Sequence, residues 1–361
     1  MLEKIKVKLS NNKKNVAKIS FGTLLGQAIS IIMLPIIARL YGPTVLGVFA
    51  LIQSISLIIN SFADLGMTEL YKVLSTITLL LSFLSSLVVT LYFVLIPSIG
   101  INMMFFFVFL LLLAFTSKQI QTCYTLLNRE GQYNVLMKNP VINNVSYAGI
   151  ALFLGFLGFK TYGYYISFLL GQVVTLFHMK RHIPINTFIY SLSSIKNAIS
   201  KHSNLVKFQT PANLLSNIKN QVPVFLIKAF WGTEILGFYS LTVKLLKVPI
   251  ALLANAIGRV FFNTVSNMKR KGEDIGSYVL NNLIKGMKIA IVPIAILIAF
   301  SDVIIVLLFG YDWKLAGDFI RILAIQYFFM FLTVTVQGLP SVIGKQKYAM
   351  IVNVMQIIFF I

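Results

Sequence analysis

Tyr41-Gly42-Pro43-Thr44-Val45-Leu46-Gly47-Val48-Phe49-Ala50-Leu51 and Trp231-Gly232-Thr233-Glu234-Ile235-Leu236-Gly237-Phe238-Tyr239-Ser240-Leu241 share one pattern: aromatic, glycine, two variable positions, aliphatic, leucine, glycine, a variable position, aromatic, small residue, leucine. Each copy stands where one long apolar run ends and the next begins. The first joins Ala17–Leu40 to Val45–Leu65, and the second joins Pro211–Trp231 to Ile235–Phe262. Crossing the roughly 30 Å of bilayer hydrocarbon takes about 20 apolar residues in a helix. Both copies therefore read as the turn of a hairpin of membrane-spanning helices, and the chain as two related halves.

Working outward, further runs of spanning length fall at Val73–Ile96, Met103–Leu126, Val141–Phe159 and Gly163–Met179 in the first half, and at Leu283–Phe309, Phe319–Val342 and Tyr348–Ile361 in the second. The fold class expected is an all-α polytopic membrane protein of about 11 spans. Composition agrees: of 361 residues, 58% are hydrophobic and 11% charged, outside the range of a soluble domain. A β-barrel would alternate polar and apolar positions over about ten residues. Leu79 to Leu95 and Phe105 to Phe115 do not.

The net charge of +21 invites a nucleic-acid reading until the cations are placed against the spans. Lys4 to Lys18, Lys72, Arg129 and Lys138, Lys180 to Lys207, Lys269 to Lys271 with Lys285, and Lys345 with Lys347 all lie on one set of connections. The opposite set holds little beyond Lys160 and Lys314. Sorting by helix parity is the positive-inside asymmetry of a multi-pass membrane protein with a cytoplasmic N-terminus. No nucleic acid is expected as partner; the lipid bilayer is. Met1 to Lys18 is basic and polar rather than a cleavable signal, so the first apolar run is expected to stay in the membrane.

A second correspondence, Gly131-Gln132-Tyr133 with Gly344 to Tyr348, extends the repeat. Six is an even number of crossings, so two such units run parallel about an axis along the membrane normal, a symmetry that transporters use around a central cavity. The domains expected are a six-helix lobe at 1–185, a basic cytoplasmic linker at 186–207 and a second lobe at 208–361. The second lobe ends about one and a half helices short of the first.

Within the spans, charge is costly and marks function. Lys244 and Lys247, three apart on one face of the eighth span and well beyond its outer end, are the leading candidates for gripping an anionic group. Lys228, near the outer end of the seventh, is another. Lys118, Arg259 and Arg321 read as interfacial anchors, and Asp64, Asp302 and Asp318 as solvated carboxylates at span ends. A coupled ion site would draw on Asp64 or Asp302. Pro35, Pro223, Pro249, Pro293 and Pro340 are expected to bend spans. Cys123, the single cysteine, reads as a packing residue and allows no disulfide within the chain. His178, His182 and His202 read as loop residues. No metal site, catalytic residue or cofactor is expected: ten acids and short connections suit neither a membrane glycosyltransferase nor a polymerase, and no phosphate-binding glycine loop points to ATP hydrolysis.

The sequence resembles the polysaccharide-export flippases of the Wzx type, within the superfamily that also holds multidrug extruders and lipid II flippases. The carriers are Gly26-Gln27 with Pro35 to Gly47, Leu127 to Tyr133, Gly163 to Gln172, Gln221 to Leu241, Pro249, Val260 to Phe262, Phe309-Gly310 with Trp313, and Gly344 to Tyr348. That resemblance implies two six-helix lobes and translocation of an undecaprenyl-pyrophosphate-linked oligosaccharide by alternating access, for O-antigen, capsule, lipopolysaccharide or other surface polysaccharide. It also implies a polysaccharide polymerase and glycosyltransferases as partners. Arg39, just before the first hairpin turn, resembles the cavity arginine such flippases carry in their first helix. A lipid II flippase and a multidrug or cation extruder remain the alternatives.

Overall fold

A computed structural model describes residues 2–63, 71–95, 101–183, 210–344 and Met355. Among them there is no strand. The helices are α1 (Leu2–Ala63), α2 (Tyr71–Leu95), α3 (Met103–Arg129), α4 (Tyr133–Phe156), α5 (Tyr162–Lys180), α6 (Thr210–Lys271), α7 (Ile275–Phe309), α8 (Leu315–Val336) and the short α9 (Leu339–Ile343). The expected Asp64 site, the 186–207 linker, His202, Lys345, Lys347 and the Tyr348–Ile361 span lie outside the described residues.

The recurring motif has one geometry in both places. α1 breaks at Gly42 (φ 77°, ψ 171°) and α6 at Gly232 (φ 85°, ψ −176°). This left-handed backbone strains any residue with a Cβ. A Cβ at either position would meet nothing within 4 Å, so conformation and not packing requires the glycine. The breaks fall on these glycines; Pro35 and Pro43 are carried inside α1 with no second break. Each of the two long helices therefore supplies two spans.

Contacts settle the relative directions of the helices. The arm of α1 before Gly42 lies along α4, with Gly22 on Met137, Gly26 on Pro140 and Leu40 on Gly155, so first and fifth spans run the same way. In the same lobe α3 and α5 run together, joined by Thr116 Oγ1 to Gln172 Oε1 at 2.7 Å and Ser117 Oγ to the same oxygen at 3.1 Å. Cys123 is buried in an apolar cluster with Leu127, Leu136 and Met179, as expected of a packing residue. α4 and α5 are antiparallel, Gly171 facing Tyr147 and Gly163 facing Leu154. Odd spans pointing one way and even spans the other is the alternation that the cation pattern implies.

α2 shows which solvent the fold answers to. Thr78, Ser82, Ser86 and Thr90, one per turn, are buried, whereas Leu80, Phe83, Leu87 and Leu91 are exposed. Hydroxyl inside and leucine outside is the reverse of a soluble helix, and small residues at four-residue spacing let membrane helices approach closely.

The chain falls into two compact units, Met1–Thr233 and Glu234–Ile361, the division coming at the Gly232 break. The arm of α6 before that glycine belongs to the first unit because it bonds to α1: Ser54 Oγ donates to Gln221 Oε1 at 2.8 Å and Asn217 Nδ2 to Ser61 Oγ at 2.6 Å. In the second unit the remaining arm of α6 runs parallel to α8, with Thr242 donating to the carbonyl of Ala316 at 3.1 Å and Gly258 resting on Val334.

Several helix bounds differ from the hydropathy reading. α4 starts at Tyr133 rather than Val141, and α6 and α7 run on to Lys271 and back to Ile275, because backbone hydrogen bonding continues past the hydrocarbon whatever the side chains. The tenth span stops at Val336 and restarts at Leu339; Pro340 opens the short α9, where proline is tolerated, and bends no continuous helix.

α7 is capped by Asp274, whose carboxylate accepts from Ser277 Oγ at 2.7 Å and from the amides of Gly276 and Ser277 at 2.9 and 3.3 Å. The Ser277 hydroxyl and then the two amides hold this acid below the ordinary aspartate range. A lowered folded value means that the cap is complete above the unfolded pKa and is lost as pH falls through the folded one. Asp274→Ala is expected to speed amide exchange at Gly276 and Ser277 at neutral pH, and wild type to approach that rate only at acid pH.

Candidate functional site

The first unit contains a cavity of about 1010 Å³ walled by the post-Gly42 arm of α1, by α2 and by the pre-Gly232 arm of α6. Its walls are almost wholly apolar: Leu51, Ile55 and Ile59 from α1, Leu81, Val88 and Phe93 from α2, and Phe225 from α6. Among the described residues lining it, Lys228 is the one that carries a charge. The Lys228 ammonium stands 5.9 Å from the centre of the Phe93 ring, within cation–π range. Four residues before Gly232, it sits about 6 Å along the helix from the break.

Arg39 lies three residues before the equivalent break in α1, about 4.5 Å away on the same arithmetic, and is exposed. Both positions are within reach of the near edge of the hydrocarbon layer for a long side chain.

Lys244 and Lys247 belong to the second unit. They follow Gly232 by about 18 and 22 Å of continuous helix, which in a hydrocarbon layer about 30 Å thick leaves Lys244 about 12 Å and Lys247 about 8 Å from the far surface. Lys244 is half-buried and Lys247 exposed. Of the four sequence candidates, the structure places Arg39 and Lys228 near hairpin turns of the first unit and this pair at depth in the second.

Arg321, Asp302 and Asp318 are partly open to solvent, as expected of groups at span ends, and are paired as well: Arg321 Nη2 meets Asp302 Oδ2 at 2.5 Å and Nη1 meets Asp318 Oδ1 at 3.3 Å. Antiparallel packing of α7 on α8 brings Asp302 to Arg321, and Gly317 is required there because a Cβ would stand 2.6 Å from Asp302 Oδ1. The Asp302–Arg321 pair joins α7 to α8, while Asp318 and Arg321 stand one turn apart on α8. Lys118, also expected to be an anchor, is fully buried and donates to Gln121 Oε1 at 3.1 Å. Its place halfway along α3 puts it beyond snorkelling range. The Arg259 side chain lies outside what is described. His178 and His182 form an edge-to-face pair, ring centres 5.4 Å apart.

Sequence reasoning missed the cavity, since its walls come from three separate elements. A signal was present in α2, where the four-residue hydroxyl stripe fixes the inward face and so leaves Leu81, Ser85 and Val88 to another surface. Among the described residues no group of histidine, cysteine and acidic side chains could hold a metal ion.

Residues 36–317 match the profile of a family described as polysaccharide biosynthesis protein. Teichuronic acid biosynthesis protein TuaB of Bacillus subtilis (strain 168) is 26% identical over 206 residues, covering 55% of this chain and 41% of that protein, so the match spans under half the relative's length. Among solved structures, the lipid II flippase MurJ in an inward closed conformation aligns with 91% of this chain and 76% of its own at a TM-score of 0.69 and 14% identity. An inward-facing multidrug resistance transporter of the MATE family aligns with 95% of this chain and 84% of its own at 0.59 and 16%. At such identities the likeness is one of fold.

Proposed function

The chain belongs to the polysaccharide biosynthesis protein family, and from that premise we propose that it is a flippase that carries undecaprenyl-pyrophosphate-linked oligosaccharide units across the bacterial cytoplasmic membrane by alternating access. Family membership is the observation that carries this reading. The hairpin motif that recurs at Gly42 and Gly232, with cations within the spans, supports it. The proposed lobes are 1–185 and 208–361, joined by the basic linker, with the N-terminus cytoplasmic. Arg39, Lys228, Lys244 and Lys247 are the proposed contacts to the pyrophosphate. A guanidinium can take two phosphate oxygens at once, whereas each ammonium acts as a point charge. Product would pass to a polymerase after assembly by glycosyltransferases, and the chain itself makes and breaks no bond.

The test is a purified protein in vesicles carrying a fluorescent polyprenyl-pyrophosphate oligosaccharide, with a membrane-impermeant quencher added outside. The protein is expected to bring the inner-leaflet fraction to the quencher faster than protein-free vesicles do. Movement of a cationic dye without movement of the saccharide lipid would replace this reading with drug export.

A further inference from the structure

The cavity of the first unit has the shape of a chain-binding groove with a charged end. It runs along α2 from Phe93 to Leu81, twelve residues or about 18 Å of helix, and its cation, Lys228, stands at the Phe93 end. Spread over that length, the volume gives a mean cross-section of about 56 Å², wider than one straight alkyl chain fills. An under-filled slot forfeits dispersion contacts on its open side, so a broader, methyl-branched chain fills it better than one straight chain, as would a pair of acyl chains, which competition with phosphatidylglycerol separates. The size is at the upper end of the roughly 300–1,000 Å³ of small-molecule sites.

We propose that this groove holds the isoprenoid chain of a polyprenyl phosphate-type lipid, with the Lys228 ammonium against the phosphate. The assignment rests on the lipid-linked-sugar reading and adds to it where the tail goes: between α1, α2 and α6 of the first unit, its headgroup at the outer end. An apolar tail ending in a phosphate anion is complementary to apolar walls ending in one ammonium. Phe93 steadies that ammonium at the mouth and adds a flat apolar wall beneath it.

The experiment uses the full chain in nanodiscs and a polyisoprenyl phosphate bearing a benzophenone on its chain. Irradiation is expected to label α2 or the post-Gly42 arm of α1. Val88→Trp, at an exposed position where a large side chain disturbs no packing, should cut labelling about tenfold by filling the groove. Lys228→Gln should cut it about tenfold for the phosphate and leave labelling by the matching polyisoprenol unchanged. Excess polyisoprenyl phosphate should compete and excess phosphatidylglycerol should not. Equal competition by phosphatidylglycerol would make this an ordinary lipid slot and overturn the proposal, as would labelling that Val88→Trp does not alter. If such a failure occurs while the wild type still moves the saccharide lipid in vesicles, the groove assignment falls alone. A wild type that moves no saccharide lipid removes the functional reading instead.

Discussion

Replacing Gly26 with alanine is expected to lower the thermal midpoint of the purified protein by roughly 2–12 °C, and replacing it with leucine to prevent normal accumulation in the membrane. A Cβ at Gly26 would stand 2.8 Å from the carbonyl carbon and oxygen of Pro140, a backbone that cannot rotate aside. One turn earlier, Gly22 rests in the same way on the backbone of Met137. The two glycines form a small-x-x-x-small stripe along which α1 and α4 approach backbone to backbone. Overpacking such a contact costs about 1–3 kcal/mol, and for a protein of this size each kcal/mol moves the midpoint by about 2–4 °C. Two other glycines of α4 provide controls. A Cβ at Gly149 meets nothing within 4 Å, so Gly149→Ala should be neutral or slightly stabilising by relieving the helix penalty of glycine, about 1 kcal/mol. At Gly155 the obstacle is the movable end of the Leu40 side chain, and the effect should be intermediate. Equal midpoints for Gly26→Ala and Gly149→Ala would show that the α1–α4 contact is not as close as described.

This stripe also shows what a single sequence can and cannot disclose. Gly42 and Gly232 were legible because their neighbourhoods recur and because a left-handed backbone tolerates little else. Long apolar runs disclosed the spans, since about 20 such residues have few other uses. The start of α4 was hidden: Lys138, Asn139 and Pro140 read as a connection, yet they are helical, and it is here that the first helix docks. Hydropathy reports the thickness of the hydrocarbon, not the length of the helix. The Asp302–Arg321 pair was hidden for another reason. Its members are separated by a turn and belong to antiparallel helices, so each looked like an isolated charge at a span end. Lys118 was misjudged although its place in the expected Met103–Leu126 span, eight residues or about 12 Å from the nearer end, was already too deep for an anchor; which neighbours close over it was not legible. The cavity walls are drawn from α1, α2 and α6, and only the share of α2 left a trace in the sequence, in its hydroxyl stripe.

Replacing Lys244 and Lys247 together with glutamine is expected to lower transport of the pyrophosphate-linked saccharide by about 100-fold or more, at unchanged protein level. Hydrogen bonds to charged groups contribute about 1.5–3 kcal/mol each, which is about 10- to 100-fold per lysine. The two should not be equal. Lys244 is half-buried and Lys247 exposed, and a charge shielded from water interacts more strongly with a bound anion. Lys244→Gln should therefore cost more than Lys247→Gln, and raising ionic strength should weaken the contribution of Lys247 first, since mobile ions screen exposed pairs most. Lysine-to-arginine replacements keep the charge and should retain most of the rate. Measured in the vesicle assay, a double glutamine variant as fast as wild type would remove both lysines from the substrate path. A double variant that is slow even with arginine would show that the shape of the ammonium, and not its charge alone, is what the headgroup meets.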